Sequence, residues 1–420
     1  MKHLIRSLNS RNYRLYFSGQ GISLVGTWMT MIATSWLVYR LTASPFLLGL
    51  ANFTGQLPVF LCAAFAGVWI EGRNLHRILI STQIFAMLQS LALAFLTLTH
   101  RINLAEIIAL GFVQGLINTF DMPTRQSFVV EIVDHKKDLG NAIALNTFIV
   151  NVARLIGPSL AGMIIAAVGE GYCFLIDGVS YVAVIVSLFL MQLKPKQHVK
   201  SHLSGLHLLK EGANYAFGFP PIRSLLLISA LFSLMGMSYA VLMPIVAGSV
   251  FHGGAHTYGF LMAASGLGAL VGAVGMASKR TVLGLGRMIV LAGAIFGISL
   301  ALFAFCKNWP LALLLIAGTG LGLIVIIGAT NTLLQTIVED NKRSRVMALY
   351  SMAFIGMVPF GSLIAGTLAK YIGVPYTLLI EALACLVGTL VFAFHLPNLR
   401  KQVRPIYLKH GIITEIPTVP

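Results

Sequence analysis

The sequence predicts an all-α membrane protein with twelve crossing helices in two six-helix bundles, and three observations point there. The first is composition. Of 420 residues, 57% are hydrophobic and only 10% charged, with a mean hydropathy of +0.86. A soluble chain would be about one quarter charged, so this composition cannot build a water-exposed surface, and a soluble enzyme is excluded. The second is that the apolar residues gather in continuous runs long enough to cross about 30 Å of hydrocarbon, unlike the alternating segments of about ten residues in barrel strands. The third is that the basic residues fall almost entirely in alternate connections between those runs.

The first run, Tyr13 to Tyr39, begins among Lys2, Arg6, Arg11 and Arg14. It is too long for the short apolar core of a cleavable signal peptide, so it is expected to remain as a crossing. Phe46 to Ile70 returns the chain to the starting side, where Arg73 and Arg77 follow. Ile78 to Leu98 and Leu104 to Met122 make the next pair, followed by Arg125, Lys136 and Lys137. Leu139 to Val168 and Cys173 to Met191 complete six, ahead of Lys194, Lys196, Lys200, Lys210 and Arg223. The second six are Leu225 to Val246, Tyr258 to Met276, Gly284 to Phe305, Pro310 to Val338, Val346 to Ala369 and Pro375 to Phe394. Their basic connections hold Lys279, Arg280 and Arg287, then Lys342, Arg343 and Arg345, and finally Arg400, Lys401, Arg404 and Lys409.

Of the 29 Lys and Arg, only Arg40, Arg101, Lys307 and Lys370 fall on the opposite side, and Arg154 lies inside a run. The positive-inside rule therefore places both termini and the central linker in the cytoplasm of a bacterial inner membrane. The net charge of +16 is then a topology signal and calls for no nucleic-acid partner. Cys62, Cys173, Cys306 and Cys385 sit in or beside four different runs, without metal-ligand or disulfide-framework spacing, and read as packing residues.

The resulting organisation is a first bundle over 1–192, a cytoplasmic linker over 193–221, a second bundle over 222–396 and a cytoplasmic tail over 397–420. In the linker, Leu203, Leu206, Leu209, Ala213 and Ala216 have helical spacing and suggest a short interfacial helix. The halves also resemble each other at an offset of 204 residues: Leu145 matches Leu349, Gly157 matches Gly361, Ala161 matches Ala365, Gly162 matches Gly366 and Gly169 matches Gly373. Six crossings return the chain to its starting side, so the halves share one orientation about an axis along the membrane normal. Two facing bundles of this kind enclose a midplane cavity whose access can alternate, which points to a transporter and away from an enzyme.

Three segments carry a family resemblance. They are GVWIEGRNLHR from Gly67, the stretch from Phe120 to Gly162 (FDMPTRQSFVVEIVDHKKDLGNAIALNTFIVNVARLIGPSLAG) and the stretch from Asn331 to Gly366 (NTLLQTIVEDNKRSRVMALYSMAFIGMVPFGSLIAG). With them the chain resembles the major facilitator superfamily, in the exporter branch that includes the enterobactin exporter and the transmembrane secretion effectors. The resemblance implies the major facilitator fold. It also implies a gating clasp on the cytoplasmic face that holds the two halves together in the outward-open state, formed by Glu71 at the position of a customary Asp, Arg73, Arg77 and Asp121; ordinary interfacial charges that help topology explain the same residues. Gly72 replaces the usual neighbouring Arg, which makes the clasp weaker or differently arranged. Gly157, Pro158 and Gly162 resemble the helix-5 signature of proton-coupled exporters, where a bend helps one half rock against the other; a purely structural kink explains the same residues. Gly111 stands where many antiporters carry an Arg ahead of Gln114 and Gly115, which argues against a standard proton relay.

Within the crossings, Arg154 is the most informative residue, because a cation at that depth must face protein, water or an anion. It either fixes conformation or contacts an anionic substrate. Asp177 and Glu381 are coupling candidates, since a carboxyl group whose access to water changes with conformation can carry a proton. Asp177 also reads as a capping residue, and Glu106 as an entrance or helix-start carboxylate. Gln20, Ser23, Thr27, Met31 and Thr34 recur every three or four residues on the first helix and form one mixed face. The resemblance implies that helices 1, 4, 7 and 10 line the cavity, adding Trp28, Asn118, Met237, Tyr239, Asn331 and Gln335; interhelical packing explains many of these equally well.

The expected activity is secondary active export of a small organic molecule, anionic or amphiphilic, by alternating access with a coupling proton. A siderophore is favoured, with drug or toxic-metabolite efflux, lysolipid transport and a non-transporting membrane sensor as alternatives. Catalytic residues, cofactor and metal are not expected, and a monomer in contact with membrane lipid is.

Overall fold

The computed structural model describes residues 6–70, 72–133, 138–193, 213–279, 281–339, 342–409 and 412–413. Glu71 and the predicted linker positions Leu203, Leu206 and Leu209 lie outside the described residues, whereas 213–218, holding Ala213 and Ala216, is helical. Among the described residues, twelve helices are long and apolar enough to span a bilayer. They are α1 Arg11–Thr42, α2 Pro45–Ile70, α3 Leu75–Leu98, α4 Leu104–Ile132, α5 Leu139–Val168 and α6 Glu170–Phe189. The second set is α7 Pro220–Val250, α8 Ala255–Ala277, α9 Leu285–Phe303, α10 Trp309–Ile337, α11 Arg345–Ile372 and α12 Val374–Lys409.

Local chemistry sets many of the helix starts. Asn103 and Glu106 form a reciprocal capping box on α4, with both side chain to backbone hydrogen bonds at 3.0 Å, so Glu106 is a helix-start carboxylate. Asn308 accepts from the Leu311 N–H at 3.0 Å ahead of α10, where Pro310 occupies the first turn. The α5–α6 and α11–α12 junctions turn on Gly169 and Gly373, with φ of 94° and 84°. These values favour glycine, and the two residues are a matched pair of the sequence repeat.

Several helices outrun the predicted apolar runs. α4 continues past Met122 to Ile132, α7 begins at Pro220, and α12 continues through most of the predicted tail to Lys409. Hydropathy marks the hydrocarbon boundary, whereas a helix ends only where its backbone is capped or broken. α7 is irregular, with π turns at Phe232–Gly236 and Val246–Val250 on either side of the segment Tyr239–Ile245. Such turns often mark functional positions within helices.

The start of α1, the start of α5 and the end of α6 lie on one side of the helix array, and six further crossings return the end of α12 to that terminus side. The Ser7 N–H donates to Asn141 at the start of α5, and Asn12 donates to the Gln192 carbonyl beyond α6 at 2.9 Å. At the opposite side, Arg40 at the end of α1 pairs with Glu170 at the start of α6 at 2.8 Å. The first six and last six helices meet along two crossings, α5 with α8 and α2 with α11.

Candidate functional site

Four helices converge on Arg154 near the middle of α5. Its guanidinium lies over the Trp28 ring of α1, 5.8 Å from the centroid, and within electrostatic reach of Tyr239 on α7. The Tyr239 hydroxyl is hydrogen-bonded to Ser265 of α8 at 2.8 Å. A Cβ added at Gly266 of α8 would stand 3.0 Å from the Arg154 carbonyl, so the backbones of the two halves touch at this depth. Among the described residues no carboxylate pairs with Arg154. An arginine at midspan without an acid is costly, and an anion placed on it would offset that cost.

The predicted cavity residues divide into several groups. Trp28 and Tyr239 sit with Arg154, and Met237 is two residues from Tyr239 on the same irregular stretch of α7. Asn118 accepts from Gln114 one turn earlier on α4 at 3.1 Å, near midspan. Asn331 and Gln335 form a similar pair on α10 at 2.7 Å, but Gln335 is two residues from the end of that helix. This pair therefore belongs to the entrance on the terminus side. Thr27 donates to the Ser23 carbonyl one turn earlier on α1 at 3.1 Å, and Gln20 is buried with neither amide atom hydrogen-bonded to a described residue.

Asp177 and Glu381, both almost fully buried, stand apart from Arg154 but grip the two helices that frame it. Asp177 Oδ2 accepts from Thr30 of α1 and Ser90 of α3, each at 2.9 Å. Glu381 Oε1 accepts from Ser238 of α7 at 2.6 Å, and Ser238 immediately precedes Tyr239. The remaining oxygens, Asp177 Oδ1 and Glu381 Oε2, have no hydrogen-bond partner in the described structure. The two acids are themselves separated by the repeat offset, so each half presents one carboxyl group to its own first helix.

Among the described residues, Arg73 and Arg77 do not pair with Asp121 in this structure. Asp121 is buried inside the first half, paired with Arg125 one turn along α4 at 2.5 Å and accepting from Thr82 at 2.8 Å and Gln83 at 2.7 Å of α3. Arg73 instead lies over the Trp69 ring at 4.0 Å, and Arg77 is exposed in the first turn of α3. An i, i+4 partner on the same helix is closer to Asp121 than the loop arginines, and it holds the acid within one half. Arg125 was readable by spacing as that partner.

The helix-5 signature serves two neighbours. Gly157 abuts α1 within its own half, where an added Cβ would come within 2.5 Å of Trp28 Cβ. Pro158 and Gly162 face the other half. A Cβ at Gly259 of α8 would lie 2.5 Å from the Pro158 carbonyl, and one at Gly162 would lie 2.8 Å from the Ala255 carbonyl. The repeat partner of Gly162, Gly366, makes the corresponding approach from α11 to Gly49 and Pro45 of α2. These two glycine crossings sit toward the side away from the termini. The same side is further closed by stacking of Trp36 on Tyr258, with centroids 6.4 Å apart, and by Lys370 over Phe46 at 5.6 Å. The sequence reading missed Trp36, Tyr258 and Asn52; Asn52 accepts from Ser362 across the α2–α11 crossing at 3.3 Å. No periodicity distinguishes such residues from ordinary packing.

Two like-oriented sets of six helices meeting around a midspan arginine define a membrane transporter of the major facilitator type, not an enzyme. The chain belongs to the transmembrane secretion effector family, whose model matches residues 6–408. It is 26% identical over 402 residues to the staphyloferrin A transporter of Staphylococcus aureus, covering 95% of this chain and 99% of that one. It is 24% identical over 387 residues to the multidrug efflux pump Tap of Mycolicibacterium fortuitum, covering 90% and 93%. Among solved structures, the fold resembles a bacterial homologue of the iron transporter ferroportin with a TM-score of 0.72, 17% identity and coverage of 91% and 98%.

Proposed function

We propose that this protein exports a small anionic organic molecule across the bacterial inner membrane by proton-coupled alternating access, with both termini in the cytoplasm. The observation that carries the reading is Arg154, at midspan between the halves, set over an aromatic ring and unmatched by any carboxylate among the described residues. A guanidinium beside Trp28 suits a ligand that brings carboxylate or other oxygen-anion groups together with apolar surface. A siderophore fits that description, and likeness to a staphyloferrin A transporter supports it. Drug efflux is the second reading. Met31, 40% exposed on α1, and Met237 give the neighbourhood an adaptable apolar surface, and a multidrug pump is among the relatives.

In this reading the described conformation is the one open to the cytoplasm, sealed on the far side by the Gly162–Gly259 and Gly366–Gly49 approaches. Ligand binding on Arg154 engages Trp28 and Tyr239, which belong to the helices held by Asp177 and Glu381. With the acids ionised, the ligand-bound protein opens its far side and releases the ligand there. A proton from the far side then reaches either acid and removes the negative charge that orders Thr30 and Ser90, or Ser238, which frees α1 or α7 to return. Loss of that proton to the cytoplasm resets the acid for the next ligand.

The test uses proteoliposomes with the cytoplasmic face outward, an acidic lumen and staphyloferrin A in the bath. Uphill lumenal accumulation that collapses with the pH gradient is expected. Saturable binding without flux would assign a sensor, and flux indifferent to the gradient would remove proton antiport.

A further inference from the structure

A second site lies away from Arg154, at the terminus-side end of the last six helices. A cavity of about 270 Å³ opens between α7, α9, α10 and α12, and its walls are almost wholly apolar, including Leu225, Leu333, Ile337 and Phe392. Two of its lining residues, Arg400 and Arg404, are cations. They are one turn apart on α12, so both guanidiniums rise from the same side of that helix as Leu396, Val403 and Tyr407, which also line the cavity. Lys279 brings a third charge to the rim. Its amine lies 3.1 Å from Met288 Sδ and 3.5 Å from a Cβ built on Gly284, a residue of the cavity wall. Among the described residues no carboxylate pairs with Arg400, Arg404 or Lys279.

An apolar slot ending in cations that no described carboxylate pairs, at the level where membrane helices leave hydrocarbon, matches the chemistry of an amphiphile with a hydrocarbon chain and an anionic head. A soluble anion would leave the slot unfilled, and a zwitterionic lipid would bring an ammonium of its own beside the cations. We propose that this cavity binds an anionic phospholipid of the surrounding leaflet, its acyl chain between α7, α10 and α12 and its phosphate on Arg400 and Arg404. The headgroup holds the extended end of α12 against the ends of α7 and α9. The site is independent of the transported ligand, because none of its residues belongs to the Arg154 cluster.

Native mass spectrometry of the full-length protein in detergent tests it, with dioleoylphosphatidylglycerol, dioleoylphosphatidylcholine and oleate as separate probes. One high-affinity phosphatidylglycerol site is expected, with phosphatidylcholine weaker by roughly thirtyfold, as two basic contacts of about 1 kcal/mol each imply. The double variant Arg400→Gln, Arg404→Gln should lose that preference. Lys401→Gln, on an exposed neighbour that does not line the cavity, should keep it. Gly286→Leu keeps every cation but adds a side chain to the wall, and it should weaken phosphatidylglycerol binding. Equal affinity for the two phospholipids, a preference surviving in the double variant, or displacement of phosphatidylglycerol by equimolar oleate would each overturn the assignment. If the double variant fails to fold, the Gly286→Leu result decides: unchanged phosphatidylglycerol affinity contradicts the proposal.

Discussion

The seal on the side away from the termini rests on two backbone approaches that admit no side chain, so adding one methyl group there should open it. A Cβ at Gly366 would lie 2.5 Å from the Pro45 carbonyl oxygen, 3.0 Å from Gly49 Cα and 3.2 Å from Gly49 N. Ordinary contact begins at 3.4 Å, so Gly366→Ala separates α2 from α11 by about 0.9 Å. The obstructing atoms are backbone, and no rotamer change relieves them. Overpacking of this kind costs about 1–3 kcal/mol, and only the sealed conformation pays it, so the balance between the two conformations moves roughly 5- to 150-fold toward far-side opening. Gly162→Ala, at the equivalent crossing with α8, should act the same way, its Cβ meeting the Ala255 carbonyl and His256 Cα. Spin labels on Arg101→Cys and Lys307→Cys, in a background lacking the native cysteines, report the distance between the halves on that side. Both alanine variants should populate a longer distance. Gly140→Ala, where an added Cβ meets nothing within 4 Å, should match the parent. An unchanged distance distribution in folded Gly366→Ala and Gly162→Ala would refute the seal.

Three further outcomes follow from the geometry. Arg154→Gln should weaken binding of an anionic ligand by roughly thirtyfold, the worth of a lost charge-assisted hydrogen bond of about 2 kcal/mol, with Arg154→Lys intermediate; equal binding isotherms for all three would remove this residue from recognition. Asp177→Asn and Glu381→Gln keep a hydrogen-bonding group for Thr30 or Ser238 but carry no titratable proton, so counterflow should persist while gradient-driven accumulation is lost. Retained accumulation in both would exclude them as the coupling groups. Asp121→Asn leaves Arg125 in a buried site without its acid and should cost about 3 kcal/mol in unfolding measurements. Arg40→Gln strips both hydrogen bonds from Glu170, whose side chain is only 6% exposed, and should likewise cost about 3 kcal/mol; a loss below about 1 kcal/mol in either variant would contradict the burial assigned to the acid left behind.

Much of the architecture was readable because hydrocarbon imposes simple rules on a chain. All twelve crossings appear as apolar runs, and the faint repeat at 204 residues reappears as shared backbone geometry at Gly169 and Gly373 and shared cross-half contacts at Gly162 and Gly366. Arg154, Asp177 and Glu381 stood out because ionisable groups are expensive at such depth. Partners were harder to read. Asp121 pairs with Arg125 inside one half, and the Asn331–Gln335 pair falls at an entrance, because hydropathy gives depth only coarsely and says nothing of rotation about a helix axis. The π turns of α7 and the Trp36–Tyr258 stack depend on contacts between segments remote in sequence, and no local pattern marks them.

The most direct test of transport through Arg154 is gradient-driven flux measured side by side for the parent and Arg154→Gln proteins in proteoliposomes of known orientation, with staphyloferrin A as probe. The parent should concentrate the probe in an acidic lumen while lumenal pH rises in step, and the variant should do neither at the same probe concentration. Equal accumulation and equal proton movement in both preparations would contradict the account.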